Sequence, residues 1–414
     1  MVTIKLSAEN DGWPLEDMAN ELEELCGSSG AEVVDNITCL RDKPTPNLFI
    51  GKGKTEEIAL ACQAEDVDMV IFSRDLSGTQ KRNLEEAIGK KIIDRTQLIL
   101  DIFALHAKSP EGKMQVELAQ LQYLMPRLSG KGVTLSRLGG GIGTRGPGEQ
   151  KLEVDRRRIR SRIDKLKEDL KHTKLHRLTM RKRRKDKAIP IVALVGYTNA
   201  GKSTLINTLT GSGQTVADSL FTTLDPLSRR LQLPNGENII VFDTVGFLHD
   251  LPHHLVEAFK ATLEEVVQAD LLLHVLDASH AMAGKHAKAV LEVLKELGVD
   301  DKPIITALNK IDLVDDKAWI GRLKDDFVNP VPISAKFKLG LDILLAEVEK
   351  EFQAKTIFLQ LLMPHSRMDI VDLFYRQGKV EKIEYLQKGI KIKGMLPKIV
   401  ANNILKNKEI EQVN

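Results

Sequence analysis

At 414 residues, 42% hydrophobic, 29% charged and 4% aromatic, the chain is too long for one hydrophobic core and too apolar for a disordered one, so about two to four folded domains are expected. A formal net charge of +2 predicts no polyanion partner by itself, and any such partner has to be read from how charge is distributed along the chain. No apolar run approaches the roughly 18 residues of a membrane helix, Met1 to Asn10 lacks the blocks of a signal peptide, and Cys26, Cys39 and Cys62 make no CxxC and no metal constellation, which predicts a cytoplasmic protein without membrane contact, redox chemistry or structural zinc.

From Glu32 to about His106, apolar clusters (Val33-Val34 and Ile37 to Leu40, Met69 to Phe72, Ile92 and Ile93) alternate with amphipathic stretches (Thr55 to Cys62, Asn83 to Ile88, Gln97 to Leu105), as short β-rich runs alternating with helical periods. This pattern predicts a small α/β domain with a mostly parallel sheet, over residues 1–109. Ile50-Gly51-Lys52-Gly53-Lys54 looks like a phosphate loop but lacks the rest of either known pattern, so it reads as a strand-to-helix turn.

Residues 110–187 change character. Met114, Leu118, Leu121, Met125 and Leu128 form one helical stripe, and Leu152, Ile159, Ile163, Leu166 and Leu170 form a second, so the two predict an antiparallel helical hairpin. Its joining loop, 129–149, is rich in glycine. Gly141, Gly143 and Gly146 satisfy a GxGxxG spacing, but no strand leads into it and no acidic residue closes a βαβ unit, which argues against a dinucleotide site. Two readings remain for this loop: a flexible linker, or a tip at which Gly140, Gly141 and Gly146 let the backbone approach RNA while Lys131, Arg137 and Arg145 neutralise phosphates. From Lys151 to Ala188 there are about 17 Lys and Arg against about 6 Asp and Glu, an excess of about +11. A solvated helical face explains many such runs; this one abuts the glycine loop, which favours nucleic acid. The absence of interleaved aromatics argues against stacking on single-stranded bases there.

Residues 188–353 carry the chemistry. The apolar run Ile191 to Val195 leads into Gly196-Tyr197-Thr198-Asn199-Ala200-Gly201-Lys202-Ser203-Thr204, a P-loop between strand and helix. Gly196, Asn199, Ala200 and Gly201 let backbone N–H groups point at phosphate, Lys202 reaches the outer phosphates, the Ser203 hydroxyl can bind Mg²⁺, and Thr204 continues the helix whose positive end faces the anion. Phe221-Thr222-Thr223 reads as a switch loop, with Thr223 completing the metal shell; Asp243 at a strand end holds the Mg²⁺ water shell, and the Gly246 N–H meets the γ-phosphate. Asn309-Lys310-Ile311-Asp312 and Ser334-Ala335-Lys336 select the base. Only guanine offers the two N–H donors that the Asp312 carboxylate can accept, so ATP should bind more weakly by about 10³- to 10⁵-fold. Lys310 would pack along the ring, and Ser334 and Ala335 would back the guanine oxygen. Where many GTPases place a water-orienting glutamine after Gly246, this chain has Phe247, which can neither orient nor protonate. Lys202, Thr223 and Gly246 are left as the catalytic candidates, with slow hydrolysis alone and acceleration by a large partner expected. His253 and His254 read as solvated surface.

Residues 354–414 restart the pattern: Thr356 to Leu362, Val380 to Tyr385 and Gly389 to Met395 as strands and Ile370 to Tyr375 as a helix, a small α+β domain with an interaction or sheet-covering role. The whole is an α/β protein: an α/β domain with a helical hairpin, a doubly wound P-loop GTPase sheet, and this α+β domain.

Taken in that order, Gly139 to Glu149, Gly196 to Ser203, Phe221 to Pro226, Asp243 to Phe247, Asn309 to Asp312 and Ser334 to Lys336 resemble the HflX family of translation-associated GTPases. Gly-Thr-Arg-Gly-Pro-Gly-Glu, ending at Glu149 and followed by Leu152-Glu153, is the most family-specific part. The resemblance implies GTP and GDP as ligands, Mg²⁺ as cofactor, binding to the large (50S) ribosomal subunit and its rRNA with the hairpin loop directed at the peptidyl-transferase region, and splitting or rescue of stalled or idle ribosomes under stress; a monomer is expected. The other reading is a GTP-switched assembly or adaptor protein in which hydrolysis only times release. Gln150 stands where the family more often has threonine, and no motif here points to the N-terminal ATP use of some members.

Overall fold

The computed structural model describes residues 1–8, 12–128, 147–185, 189–211, 220–221, 227–250, 255, 263–354, 356–405 and 410–413. Thr222, Thr223, His253, His254 and the expected RNA-binding residues Lys131, Arg137, Gly140, Gly141, Arg145 and Gly146 lie outside the described residues. The chain divides into two compact units. One comprises Met1–Thr173 with Ala217–Asp225 and Asp250–Thr262; the other comprises Lys174–Val216, Pro226–His249 and Leu263–Asn414.

In the first unit β1 (Val2–Leu6), α1 (Leu15–Ser28), β2 (Ile37–Arg41), α2 (Lys52–Ala64), β3 (Met69–Phe72), α3 (Gly78–Ile88), β4 (Lys91–Asp94) and α4 (Arg95–His106) alternate. The sheet is wholly parallel, in the order β2-β1-β3-β4. Two of the turns into helices are held by side-chain caps. Ser77 and Gln80 form a reciprocal capping box at α3, Gly89 ends that helix at φ 75°, and the Asp94 carboxylate caps α4 by accepting from the Gln97 N–H. Gly51 stands at the start of α2, as a strand-to-helix turn requires. Strand β1 and helix α1 precede the point at which the sequence pattern becomes regular, yet β1 is an inner strand of the sheet. Its polar Thr3 is buried and its hydroxyl is absorbed by the Asn36 side chain, which hides the strand from a count of apolar residues. All three cysteines are free and buried.

Helix α5 (Pro110–Arg127) starts on the Ser109 cap with proline in its first turn, and α6 (Pro147–Lys185) runs for 39 residues. Leu118, Ile163 and Leu166 form the seam between them, flanked by Met114, Leu121, Met125, Ile159 and Leu170, so the two predicted stripes do meet. Arg162 forks onto Glu117 with two 2.7 Å bonds and holds that carboxyl below its usual range.

Two short later segments join this unit. The Leu220 N–H donates to Ser28 Oγ at 2.7 Å, and the Phe221 ring is buried edge-on against Phe103 with centroids 4.5 Å apart. Arg74 Nη1 donates to Asp250 Oδ2 at 3.1 Å, and Arg95 Nη1 to the Asp250 carbonyl at 2.8 Å.

The second unit is built on β5 (Ile191–Val195), α7 (Lys202–Thr210), β6 (Leu227–Gln232), β7 (Asn238–Asp243), α8 (Glu264–Gln268), β8 (Leu271–Asp277), α9 (Ala283–Glu296), β9 (Ile304–Asn309), α10 (Lys317–Asp326), β10 (Pro330–Pro332) and α11 (Leu341–Gln353). Its six strands run in the order β10-β9-β8-β5-β7-β6, all parallel except β6, which pairs antiparallel with β7 at the edge. The β6 sequence, Leu-Ser-Arg-Arg-Leu-Gln, is mostly solvent-facing, so it lacks the continuous apolar run that marks the buried strands. Val192, Leu194, Leu273, Val275, Ile305 and Val331 pack in one core cluster; Leu276, Leu308, Ala283 and Leu323 belong to another.

A separate four-stranded sheet closes the chain: β11 (Thr356–Met363), α12 (Met368–Gln377), β12 (Lys379–Leu386), β13 (Gly389–Pro397), α13 (Lys398–Leu405) and β14 (Glu411–Gln412). The strands are antiparallel in the order β12-β13-β11-β14. Leu359, Leu361, Phe374, Ile390, Ile392 and Ile404 are among the buried residues that join the sheet to its two helices.

Candidate nucleotide site

Strand β5 delivers the chain into the P-loop beneath a backbone contact that only glycine permits. A Cβ on Gly196 would lie 2.3 Å from the Val275 carbonyl oxygen, and one on Gly201, at φ 93°, would lie 2.3 Å from Asn309 Nδ2. Between them Asn199 is exposed at φ 57°, while Ala200 is buried. Lys202, at the first turn of α7, folds back over the loop and donates from Nζ to the carbonyls of Gly196 (3.0 Å) and Tyr197 (2.7 Å). Burial lowers its ammonium to about 8, against the opposing pull of Asp243. A triphosphate in this loop would supply the charge the ammonium lacks.

Ser203 Oγ donates to Asp243 Oδ2 at 2.7 Å, which places a hydroxyl and a carboxylate side by side at the strand end. Hard oxygen donors of this kind suit Mg²⁺, and the two residues fit such an ion. Gly246 sits so close that a Cβ there would be 2.7 Å from Thr198 Cγ2 and 3.2 Å from Lys202 Nζ. The turn after it is zipped onto the P-loop: Phe247 N–H donates to the Gly196 carbonyl (3.1 Å) and Thr198 N–H to the Phe247 carbonyl (2.8 Å). The Phe247 ring is buried.

The base end departs from expectation in three places. Asn309 is 2% exposed and ties two loops together, donating from Nδ2 to the Ala200 carbonyl (2.8 Å) and accepting at Oδ1 from the Ala335 N–H (3.0 Å). The Ala335 N–H expected at the guanine oxygen is therefore engaged by Asn309. Lys310, at φ 64°, pairs its ammonium with Asp277 at 2.7 Å. Phe221, expected at the nucleotide, has its ring committed to Phe103. Asp312 is exposed in the 3-10 turn Ile311–Leu313, where a carboxylate can receive a base edge. Ser334 Oγ accepts from the Phe337 N–H, Thr208 Oγ1 donates to the Ala335 carbonyl, and Lys336 is exposed. Thr204 accepts at its carbonyl from Thr208 Oγ1 within α7.

Sequence reasoning passes over an aromatic buttress behind the P-loop. The Tyr197 ring stacks on His286 of α9, centroids 4.0 Å apart and planes 5° off parallel; His280 lies 4.4 Å beyond, and the Tyr197 hydroxyl accepts from the His249 N–H at 2.9 Å. Burial, with His280 adding to it, lowers the His286 imidazole to about 4, so the stacked ring is neutral. A tyrosine at the second P-loop position and a histidine on a helix about ninety residues later carry no motif. Nothing short of the fold pairs them.

That geometry is shared by P-loop nucleotide-binding proteins, and comparison with known proteins narrows the class to GTPases. Residues 16–104 match the family described as GTP-binding GTPase N-terminal, 106–184 GTP-binding GTPase Middle Region, and 191–310 50S ribosome-binding GTPase. GTPase HflX of Caldanaerobacter subterraneus subsp. tengcongensis is 50% identical over 91% of this chain and 87% of its own, and GTPase HflX of Escherichia coli K12 is 42% identical over 89% and 86%. A solved GTP-binding protein from the archaeon Sulfolobus solfataricus, in complex with GDP, aligns at 26% identity and a TM-score of 0.45 over 85% of this chain and 98% of that one. The chain belongs to the GTPase HflX family. It is a GTP-binding, GTP-hydrolysing enzyme. Among the described residues no helix is long and apolar enough to cross a membrane.

Proposed function

We infer that the protein is a monomeric cytoplasmic GTPase that binds the large ribosomal subunit and its rRNA, and uses GTP to split or rescue stalled or idle ribosomes. The match of residues 191–310 to a 50S ribosome-binding GTPase family and the basic run Lys151 to Ala188 support the ribosome as partner. Within the site, Gly196, Asn199, Ala200, Gly201 and Thr204 frame the phosphates, Lys202 exchanges its two loop carbonyls for phosphate oxygens, and the Gly246 N–H reads the γ-phosphate. Ser203, Thr223 and, through water, Asp243 would hold Mg²⁺, which would supply positive charge to offset that of the phosphates. Asp312 selects guanine; Lys310, Ser334, Ala335 and Lys336 frame the base, and Asn309 acts by locking the P-loop to the Ser334–Lys336 loop. Thr222 and Thr223 report the γ-phosphate, beside Phe221, whose ring packs on Phe103.

The single observation that carries the mechanism is the turn at Phe247. Its ring is buried, and both its N–H and its carbonyl are bonded to the P-loop. The position that orients water in many GTPases thus offers no polar side chain, so hydrolysis is slow until a partner supplies what the site lacks. Light scattering of 70S ribosomes with GTP tests this: the signal should fall as subunits separate, and GTP turnover should rise with added 50S subunits. Ribosome binding without dissociation would leave the assembly or adaptor reading in its place.

A further inference from the structure

The C-terminal sheet has one face on helices and the other without a helix among the described residues. Its element order, strand-helix-strand-strand-helix-strand, and its strand order β12-β13-β11-β14 are those of the ferredoxin-like split βαβ unit. RNA-recognition modules use this arrangement to stack bases on aromatics of the two central strands. Fold alone does not assign function. The residues on the open face do the rest.

Register places them. In an antiparallel ladder, directly opposed residues point to the same face. On β11 and β13 the pairs Phe358 with Met395, Gln360 with Lys393 and Leu362 with Lys391 alternate with the buried Leu359, Leu361, Ile390 and Ile392, so they form the face opposite the helices. β12 continues all three rows, setting Lys379 opposite Met395, Lys382 opposite Lys393 and Glu384 opposite Lys391. Phe358, on a central strand, is 49% exposed, an unusual position for a ring with a packed core one residue away on either side. Lys382 is paired with Glu384 at 2.7 Å, and that carboxyl is held below its usual range by Lys382 first, with smaller contributions from Lys391 and Lys393, which places all three ammonium groups around one acid.

We propose that this face is a binding site for single-stranded RNA, with a base stacked on Phe358 and the backbone phosphates met by Lys382, Lys391 and Lys393. An exposed ring among lysines on an open sheet is the combination that single-strand binding uses: stacking tolerates any base, and cations track the phosphates. An acidic protein surface would satisfy the lysines and leave the ring unused. The site uses no residue of the P-loop, so it stands whether or not ribosome splitting is upheld.

The test uses the full-length chain with Phe358→Trp as a local reporter, titrated at low salt with a ten-nucleotide single-stranded RNA. Saturable quenching beyond that of the parent protein, which reports Trp13 and Trp319 alone, is the expected result. Adding K391Q and K393Q should weaken the quench at least tenfold and lower the log–log salt slope by about 1.4, since each phosphate contact to a single strand contributes about 0.7. An unchanged thermal midpoint of the C-terminal domain in these variants shows that its fold is intact. A second measurement needs no substitution: photo-crosslinking of the parent protein to 4-thiouridine RNA should label peptides from 356–363 or 389–397. Absence of added quenching, equal quenching by polyglutamate, a quench indifferent to K391Q and K393Q, or crosslinks lying wholly outside these strands would each overturn the site. Co-sedimentation with 50S subunits is scored separately, so failure here is distinguishable from failure of the proposed ribosomal role.

Discussion

The six-stranded sheet of the GTPase core and the four-stranded sheet that closes the chain handle their faces in opposite ways. In the first, strands such as Leu271–Asp277 are buried almost from end to end, and the polar groups nearest the site stand at strand ends: Asp243, Asp277 and Asn309 are each at the C-terminal limit of a strand. In the second, helices cover one face among the described residues, and Lys391 and Lys393 alternate with Ile390 and Ile392 inside a strand. A sheet covered on both sides can do chemistry only at its rim; a half-covered sheet can use its surface.

This contrast can be broken at a rim residue first. Asp312→Ala removes the carboxylate that should choose guanine, and the preference for GTP over ATP is expected to fall by about 10³-fold or more in competition binding, with the fold unchanged. Retained discrimination would shift base selection to Lys336 or the loop backbone. Next comes the covered face of the second sheet. Phe374→Ala deletes a fully buried ring and should cost about 3 to 5 kcal/mol, unfolding the C-terminal domain while leaving GDP affinity intact. Phe358→Ala, on the open face of the same sheet, should leave the thermal midpoint nearly unchanged. Loss of stability of similar size in both variants would mean that the face is not open.

Acid probes the doubly covered sheet. His274 is buried in β8 with Nε2 lacking a hydrogen-bond partner among the described residues, and burial, aided by nearby Lys202, lowers it to about 4. The unfolded chain protonates near 6.5, so stability is fully present above that pH and is lost as pH falls from about 6.5 to about 4, by roughly 3 kcal/mol. Urea midpoints measured across this window should show the loss, and His274→Leu should remove it; a flat profile in the parent protein would place water or another partner on that imidazole. The smallest effect is expected at the buttress. Tyr197→Phe keeps the ring stack and takes away the acceptor of the His249 N–H, worth about 1 kcal/mol, so kcat should fall about fivefold with KM unchanged. An equal change in KM would make Tyr197 part of nucleotide binding rather than a positioning residue.

Much of this architecture is legible in the order of residues alone. The P-loop, Asp243 to Gly246 and Asn309 to Asp312 announce themselves because phosphate, metal and base each demand particular atoms at particular spacings, and the hairpin stripes announce themselves by period. The roles within the site are less legible. Asn309 reads as a base contact and turns out to be a tie between Ala200 and Ala335, because its amide offers a donor and an acceptor that two neighbouring loops can both use. The Tyr197–His286 stack pairs residues that no local pattern links. On the C-terminal strands, Ile-Lys alternation marks strands but cannot say which lysines share a face with Phe358, since that depends on register across three strands and on the irregularity between Val380 and Lys382.

Lys202 has one more consequence, in the coupling of two binding equilibria. Its ammonium is held by two carbonyls with Asp243 near, and burial lowers it to about 8, while a bound polyphosphate would hold the proton far more tightly. Nucleotide capture near that pH should therefore draw protons out of the buffer, and affinity should decline as pH rises through about 8. Calorimetry of GDP binding in two buffers with different heats of ionisation would register that uptake as a buffer-dependent enthalpy, making the P-loop lysine a proton acceptor as well as a phosphate ligand.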